Sequence, residues 1–122
     1  MARFVGFDHV QLAIPPGGEE RARAFYSDVL GLNEVEKPAE MAGRPAIWFA
    51  SGPVSLHIRT DPEFHPASKA HPALCVEGLD EILTRCDTAG ITAKPDTSFG
   101  GLRRFHVFDP FGNRLELMER SA

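Results

Sequence analysis

An internal repeat constrains the fold of this chain more than any other feature of its sequence. Residues 28–32 (DVLGL) match residues 87–91 (DTAGI), an offset of 87 − 28 = 59. The same offset, 116 − 57 = 59, relates His57 to Glu116. The histidines that open the two halves, His9 and His71, are 71 − 9 = 62 apart, as expected if the first helix connection is longer by a few residues. A repeat of this kind indicates one structural unit used twice.

Each half predicts the element order βαβββ. Alternating apolar residues indicate strands, and apolar residues at helical spacing followed by Gly31 or Gly90 indicate one helix per half. The first half predicts strands at 4–14, 32–36, 46–50 and 54–60, with a helix over 19–30 and a loop at 38–44. The second half predicts strands at 71–77 and 91–94, a helix over 79–89, a loop at 95–102 and a hairpin over 105–120 that turns at 109–113. The expected fold is α+β: one domain, residues 1–122, in which two tandem βαβββ modules (4–60 and 71–120, with a linker at 61–70) form an eight-stranded cleft.

Composition excludes several classes of partner. With 43% hydrophobic and 25% charged residues the chain is typical of a soluble globular protein, and no segment is long and apolar enough to span a membrane. A net charge of −4 leaves no polybasic surface, so we expect neither nucleic acid nor membrane as a partner. A small molecule is therefore the expected ligand. Cys75 and Cys86 are too few for a disulfide framework, which favours a cytoplasmic protein.

Four residues form a candidate metal site. His9 and His71 open the two halves, whereas His57 and Glu116 lie in the last strand of each half, and their apolar neighbours occupy the opposite strand face. A single histidine on a polar strand face is more often solvated or hydrogen-bonded than metal-bound. Agreement of strand face and repeat position in all four favours one divalent ion, Zn, Ni, Co, Mn or Fe(II), over Ca or Mg, which prefer oxygen cages. His65 is expected at the surface, and His106 could face the same cleft.

Five further residues are candidates for lining the cleft and binding substrate. Arg59 shares the strand face of His57, and Arg104 shares that of His106, so either could hold an anionic group. For both arginines a solvated surface charge is the more common situation, and a strand tryptophan is more often in the core than in a cleft. The candidates are Gln11, Trp48, Arg59, Phe99 and Arg104.

Four segments carry a resemblance to a known family: HVQLAI, FYSDVLGL, HPALCVEGLDEI and FDPFGNRLEL. In these segments the chain resembles the vicinal oxygen chelate superfamily. That superfamily includes glyoxalase I, fosfomycin-resistance thioltransferases, extradiol dioxygenases and bleomycin-sequestering proteins. The resemblance covers nearly the whole chain. It implies metal ligation by His9, His71 and Glu116, with His57 at the variable fourth position. It also implies a homodimer in which both chains line each site.

The shared chemistry of that superfamily implies a metal-dependent isomerase or lyase that chelates vicinal oxygens of a small metabolite, with Glu116 as ligand and proton acceptor. An Fe(II) extradiol-type dioxygenase is an alternative, because His9, His71 and Glu116 supply two histidines and one carboxylate and leave His57 as an acid or base. A non-catalytic binder that sequesters a drug or metabolite is the third.

Sequence differences from particular members of the superfamily reduce the range of expected substrates. Glyoxalase I members generally have Glu at the position of His57, and bacterial members have Arg at the position of Ala13. Fosfomycin thioltransferases typically have Thr where this chain has Gln11. These differences argue against a glutathione thiohemiacetal and against fosfomycin, whereas the complete ligand set argues against a bleomycin binder.

Overall fold

The computed structural model of the protein describes residues 1–97 and 102–120. Each half of the sequence repeat forms one four-stranded sheet. The strands are β1 (Val10–Ile14), β2 (Asn33–Val35), β3 (Ala46–Ser51), β4 (Val54–Thr60), β5 (Ala73–Cys75), β6 (Lys94–Asp96), β7 (Leu102–Phe108) and β8 (Arg114–Arg120). The first sheet has the order β1-β4-β3-β2 and the second the order β5-β8-β7-β6. In each, the opening strand pairs in parallel with the last strand and the other pairs are antiparallel. The α+β fold of two βαβββ units is confirmed; the division at 61–70 stays a prediction.

The helices cover one face of the sheets. They are α1 (Glu19–Arg23), which continues as a π-helical segment over Ala24–Val29, and α2 (Leu79–Thr88), and a short 3₁₀ turn spans Ala39–Met41 inside the predicted loop. Gly31 has φ +86 and ends the first helix, as predicted. No helix in the described ranges is long and apolar enough to cross a membrane.

Both sheets and both helices share a single hydrophobic core. Its most deeply buried large side chains are Phe25, Tyr26, Phe49, Leu56, Ile58, Leu79, Leu115 and Leu117. Since successive strand residues point to opposite faces, the alternate residues of each sheet point away from this core. Those outward faces carry the predicted site residues.

Strand register shows that the two outward faces are built alike. The central row of the first sheet is Gln11, His57, Trp48 and Val35. The corresponding row of the second sheet is Ala73, Glu116, His106 and Lys94. Glu116 thus occupies the place of His57, as the sequence repeat predicts. His106 occupies the place of Trp48.

Several predicted strands were wrong in extent. The strand expected at 71–77 is regular only over Ala73–Cys75, and the first arm of the hairpin, expected from 105, begins at Leu102. The strand expected at 4–14 is regular only over Val10–Ile14. Val10 pairs in parallel with Leu56, and β4 begins only two residues earlier, at Val54. Residues 1–7 therefore have no β4 residues to pair with. The strand expected at 91–94 lies instead at Lys94–Asp96. The backbone N–H of Ile91 still donates to the Cys86 carbonyl at the end of α2, so the strand begins later and takes up part of the predicted 95–102 loop.

The turn between β7 and β8 ties the two sheets together. The Asp109 carboxylate accepts hydrogen bonds from the Tyr26 hydroxyl at 2.7 Å and from Asn113 Nδ2 at 2.9 Å. Asn113 Nδ2 also donates to the Ala13 carbonyl in β1 at 2.8 Å. Burial, aided by the Asp109 charge, raises the pKa of Tyr26, which therefore remains a donor. The residues of this turn are structural.

Replacing Tyr26 by Phe is expected to destabilise the fold. Tyr26 and Asp109 are buried, so loss of the hydroxyl removes a charge-assisted bond and should lower the free energy of unfolding by about 1–3 kcal/mol. Urea unfolding measures the change. Thr84→Val is the control, because its exposed hydroxyl donates only to the Asp80 carbonyl one helical turn away. Equal midpoints for the Tyr26 variant and the unsubstituted protein would contradict the structural role of this bond.

Candidate metal site

Glu116 lies at the centre of the outward face of the second sheet. It alternates with Leu115 and Leu117, which face the core, yet only 3% of its surface is exposed. Its carboxylate is buried by charged and aromatic neighbours from β7 and from the segment before β5. A carboxylate in such a place requires partners, because an unpaired buried charge is costly.

Arg104 is the closest of these partners. Its Nε donates to Glu116 Oε2 at 2.5 Å, and its Nη2 lies 3.6 Å from Asp96 Oδ2. The hydrogen bond from Arg104 is the main reason that the pKa of Glu116 falls below its usual value; burial opposes the shift, and the His71 hydrogen bond supports it. Glu116 is therefore ionised at neutral pH. Arg104 thus holds this carboxylate, and its predicted role in substrate binding stays a prediction.

His71 is oriented toward the other oxygen of the same carboxylate. Its Nδ1 lies 2.7 Å from the Lys69 carbonyl oxygen, and because a carbonyl only accepts, Nδ1 carries the proton. Its Nε2 lies 3.0 Å from Glu116 Oε1. A neutral ring in this tautomer would direct its Nε2 lone pair at a carboxylate, so a cation, either a proton or a metal ion, belongs between the two atoms. This donor pair fits a divalent metal.

His106 is the third residue of the cluster. One ligand atom each from His71, His106 and Glu116 lie within 4.8 Å of one another. Arg114 Nε lies 3.3 Å from His106 Nδ1, and His106 Nε2 lies 2.9 Å from Asp96 Oδ2. Arg114 donates to Nδ1, so Nε2 donates to Asp96. The ring lone pair of a neutral His106, on Nδ1, therefore accepts from the Arg114 guanidinium, whereas that of His71, on Nε2, faces a carboxylate, so His106 is the poorer metal ligand.

Sequence reasoning assigned His106 no firm role, although a signal was present. A turn at 109–113 sets the hairpin register, and that register places His106 directly opposite Glu116. Strand parity had already put His106 on the same face as Arg104. Counting the register across the turn would have placed His106, Arg104 and Glu116 close together on one sheet face.

The first sheet carries a separate group of three stacked rings. The His57 ring lies between Trp48, with ring centroids 4.1 Å apart and 3° between planes, and His9, with centroids 4.1 Å apart and 15° between planes. Burial, followed by the neighbouring His9 charge, lowers the pKa of His57, while Asp8 acts in the opposite direction. His57 is therefore neutral at physiological pH. Trp48 lies on this outward face and not in the core.

The four predicted ligands thus form two pairs, one on each sheet. The metal-capable group in the described part of the chain holds His71 and Glu116 but neither His9 nor His57. Gln11 lies beside His57 in register and is exposed, and Arg59 is also exposed. Phe99 lies outside the described residues. Convergence of the four ligands stays a prediction.

The lowered pKa of His57 predicts a pH-dependent stability. Between the lowered folded pKa and the usual value near 6.5, the unfolded chain binds more protons than the folded one, so stability should fall as the pH drops through and below 6.5. His57→Gln should show a smaller loss over this range in urea titrations. His65→Gln, in the exposed linker, should retain the full loss. An identical pH profile for His57→Gln would contradict the assignment.

Comparison with known proteins identifies the family. The Glyoxalase/Bleomycin resistance protein/Dioxygenase superfamily matches residues 6–117. The chain belongs to this superfamily. The resemblance predicted from FYSDVLGL and FDPFGNRLEL is therefore confirmed. No curated protein matches the chain.

Three solved structures illustrate the relationship within the superfamily. A protein from Bacillus anthracis, described as of the glyoxalase family, is 43% identical with a TM-score of 0.92, covering 99% of this chain and 100% of that one. A glyoxalase/dioxygenase from Nostoc punctiforme is 19% identical with a TM-score of 0.76, covering 100% and 99%. The fosfomycin resistance protein FosX from Listeria monocytogenes is 17% identical with a TM-score of 0.77, covering 98% and 94%. The last two show similarity of fold.

Proposed function

We propose that the protein is a metal-dependent enzyme of the glyoxalase type, an isomerase or lyase acting on a small metabolite through two vicinal oxygens. The observation that carries the proposal is the His71–Glu116 pair, in which Nε2 and Oε1 lie 3.0 Å apart with the proton held on Nδ1. Nitrogen and oxygen donors together suit Zn, Ni, Co, Mn or Fe(II). Superfamily membership, with its general metal dependence, supports the same reading.

Two copies of the chain complete each site in this proposal. Both outward faces point away from the shared core, and the metal-capable group in the described part of one chain contains neither His9 nor His57. A second copy solves this if its first sheet faces the second sheet of the first copy. His9 of one chain then joins His71 and Glu116 of the other, and the eight-stranded cleft lies between copies.

The chain's own residues divide the chemical work. A bound divalent ion would supply Lewis-acid stabilisation of charge that develops on the substrate oxygens. Arg104 holds the Glu116 carboxylate ionised and in place as a ligand. His57, neutral and buried, is better suited than Glu116 to accept a proton at neutral pH, because a carboxylate whose pKa is lowered is a weak base. Trp48 fixes the His57 ring by stacking against it.

Ring-cleaving dioxygenation is the second candidate. It requires Fe(II) held by two histidines and one carboxylate with open positions, and His9, His71 and Glu116 meet that count. His57 would then act near the metal as an acid or base and not as a ligand.

Metal analysis of protein purified without chelators tests these functions. Stoichiometric Zn, Ni, Co or Mn supports the isomerase or lyase; Fe(II) with oxygen uptake on catechols supports the dioxygenase. Absence of any bound metal, together with no binding of added Zn²⁺ or Fe²⁺, would reject both enzymes in favour of a sequestering protein.

We also propose a cytoplasmic location, which the two free cysteines support.

A further inference from the structure

The segment formed by residues 1–7, here called the arm, is apolar and covered by nothing in its own chain. Phe4, Val5 and Phe7 are 104%, 88% and 93% exposed. Within the described part of the chain the arm makes no side-chain hydrogen bond, and it lies outside both sheets. Three large apolar side chains within four residues, all exposed, mark an interaction surface.

A groove of about 730 Å³ lies between the two sheets at the far end of β5. Its floor is apolar, and carboxylates outnumber guanidinium groups on its rim. The floor includes Leu32, Val54, Leu74, Val76, Ile82 and Met118. Cys75 is exposed in this groove, and Glu77, on the rim, has no hydrogen-bond or ion-pair partner among the described residues.

We propose that the arm of one copy docks in this groove of a second copy, running antiparallel along the open edge of β5. Arg3 is the only charged side chain of the arm, and it complements Glu77 on the groove rim. Among described strands β5 pairs only with β8, so its other edge is available for backbone pairing. A single chain holds both arm and groove without joining them, which favours a second copy as the source of the arm.

Chain lengths agree with this arrangement, which rests on the shared site proposed above. If His9 of one copy lies near His71 of the other, five extended residues back along the arm, about 16 Å, lead to Phe4. Five residues forward from His71, again about 16 Å, lead to Val76 in the groove. Phe4 of one copy therefore reaches Cys75 and Val76 of the other.

Disulfide trapping between a new cysteine and Cys75 tests the docking. Phe4→Cys and, in case the aromatic ring is needed, the more conservative Val5→Cys are each oxidised and run on a non-reducing gel. A covalent dimer is expected, and it should disappear when Cys75→Ala is added. Met41→Cys, on the exposed 3₁₀ turn, is the matched control and should not trap with Cys75.

A charge exchange adds an independent readout. Arg3→Glu should weaken dimerisation about two- to fivefold, and Arg3→Glu combined with Glu77→Arg should restore it. A disulfide within one chain, dimers that form without Cys75, or no trapping in either cysteine variant would overturn the proposal. Sedimentation and metal binding are measured on the same samples. A metal-binding dimer that does not trap rejects the arm and leaves the function standing, whereas trapping without metal binding does the reverse.

Discussion

Glu116→Gln is expected to lower the affinity of the protein for Zn²⁺ or Co²⁺ by about 100-fold or more, since loss of even an outer-shell partner typically costs 10- to 100-fold. The substitution keeps the size of the side chain but removes its charge, and with it the one anionic donor of the site. His71 alone would remain of the donor pair that one chain supplies. Competition with a chromophoric chelator near neutral pH measures the dissociation constant.

Glu40→Gln is the control for that experiment, because it removes the same charge at an exposed position on the 3₁₀ turn. It should bind metal as the unsubstituted protein does. Equal affinity in the two variants would remove Glu116 from the ligand set. It would also leave the His71–Glu116 contact as an ordinary ion pair between imidazolium and carboxylate.

Mixed dimers give the second large effect. His9→Ala and Glu116→Gln, each prepared alone, should stay empty at a metal concentration that just saturates the unsubstituted protein, because each removes a ligand from both sites of a dimer and weakens binding about 100-fold or more. After the two variants are unfolded together and refolded, half of the dimers should contain one chain of each kind. In such a dimer one site has lost both ligands and the other is intact, so about one quarter of all sites should bind metal again.

The same mixture separates the shared site from a site within one chain. If His9 joined Glu116 of its own chain, every chain would carry one defect and no site would recover. Mixing two preparations of Glu116→Gln, which should show no recovery, controls for refolding artefacts. A mixture of His9→Ala and Glu116→Gln that stays inactive in metal binding would contradict the two-copy arrangement.

Much of the fold follows from local sequence signals. The β7–β8 turn is specified by Asp109, whose carboxylate binds its own turn, and by Gly112, which has φ +95. Strand parity then places Glu116 opposite the core-facing Leu115 and Leu117, as observed. The repeat correctly relates Glu116 to His57. These features depend on short-range geometry, which the sequence carries directly.

The site was harder to predict because its contacts are long-range. Parity placed Arg104 on the correct face but could not show that its guanidinium donates to the Glu116 carboxylate. It could not show that Trp48 stacks on His57 either. The pairing of faces between the sheets depends on how the modules pack, which strand parity does not determine.

The number of divalent ions bound by the unsubstituted protein is the most direct test of a metal site at His71 and Glu116. Apo-protein prepared with a chelator is titrated with Zn²⁺ near neutral pH by calorimetry, with the oligomeric state measured by sedimentation in the same buffer. The account predicts one ion bound per chain and a dimer. A protein that binds no divalent ion while folded and dimeric would contradict it.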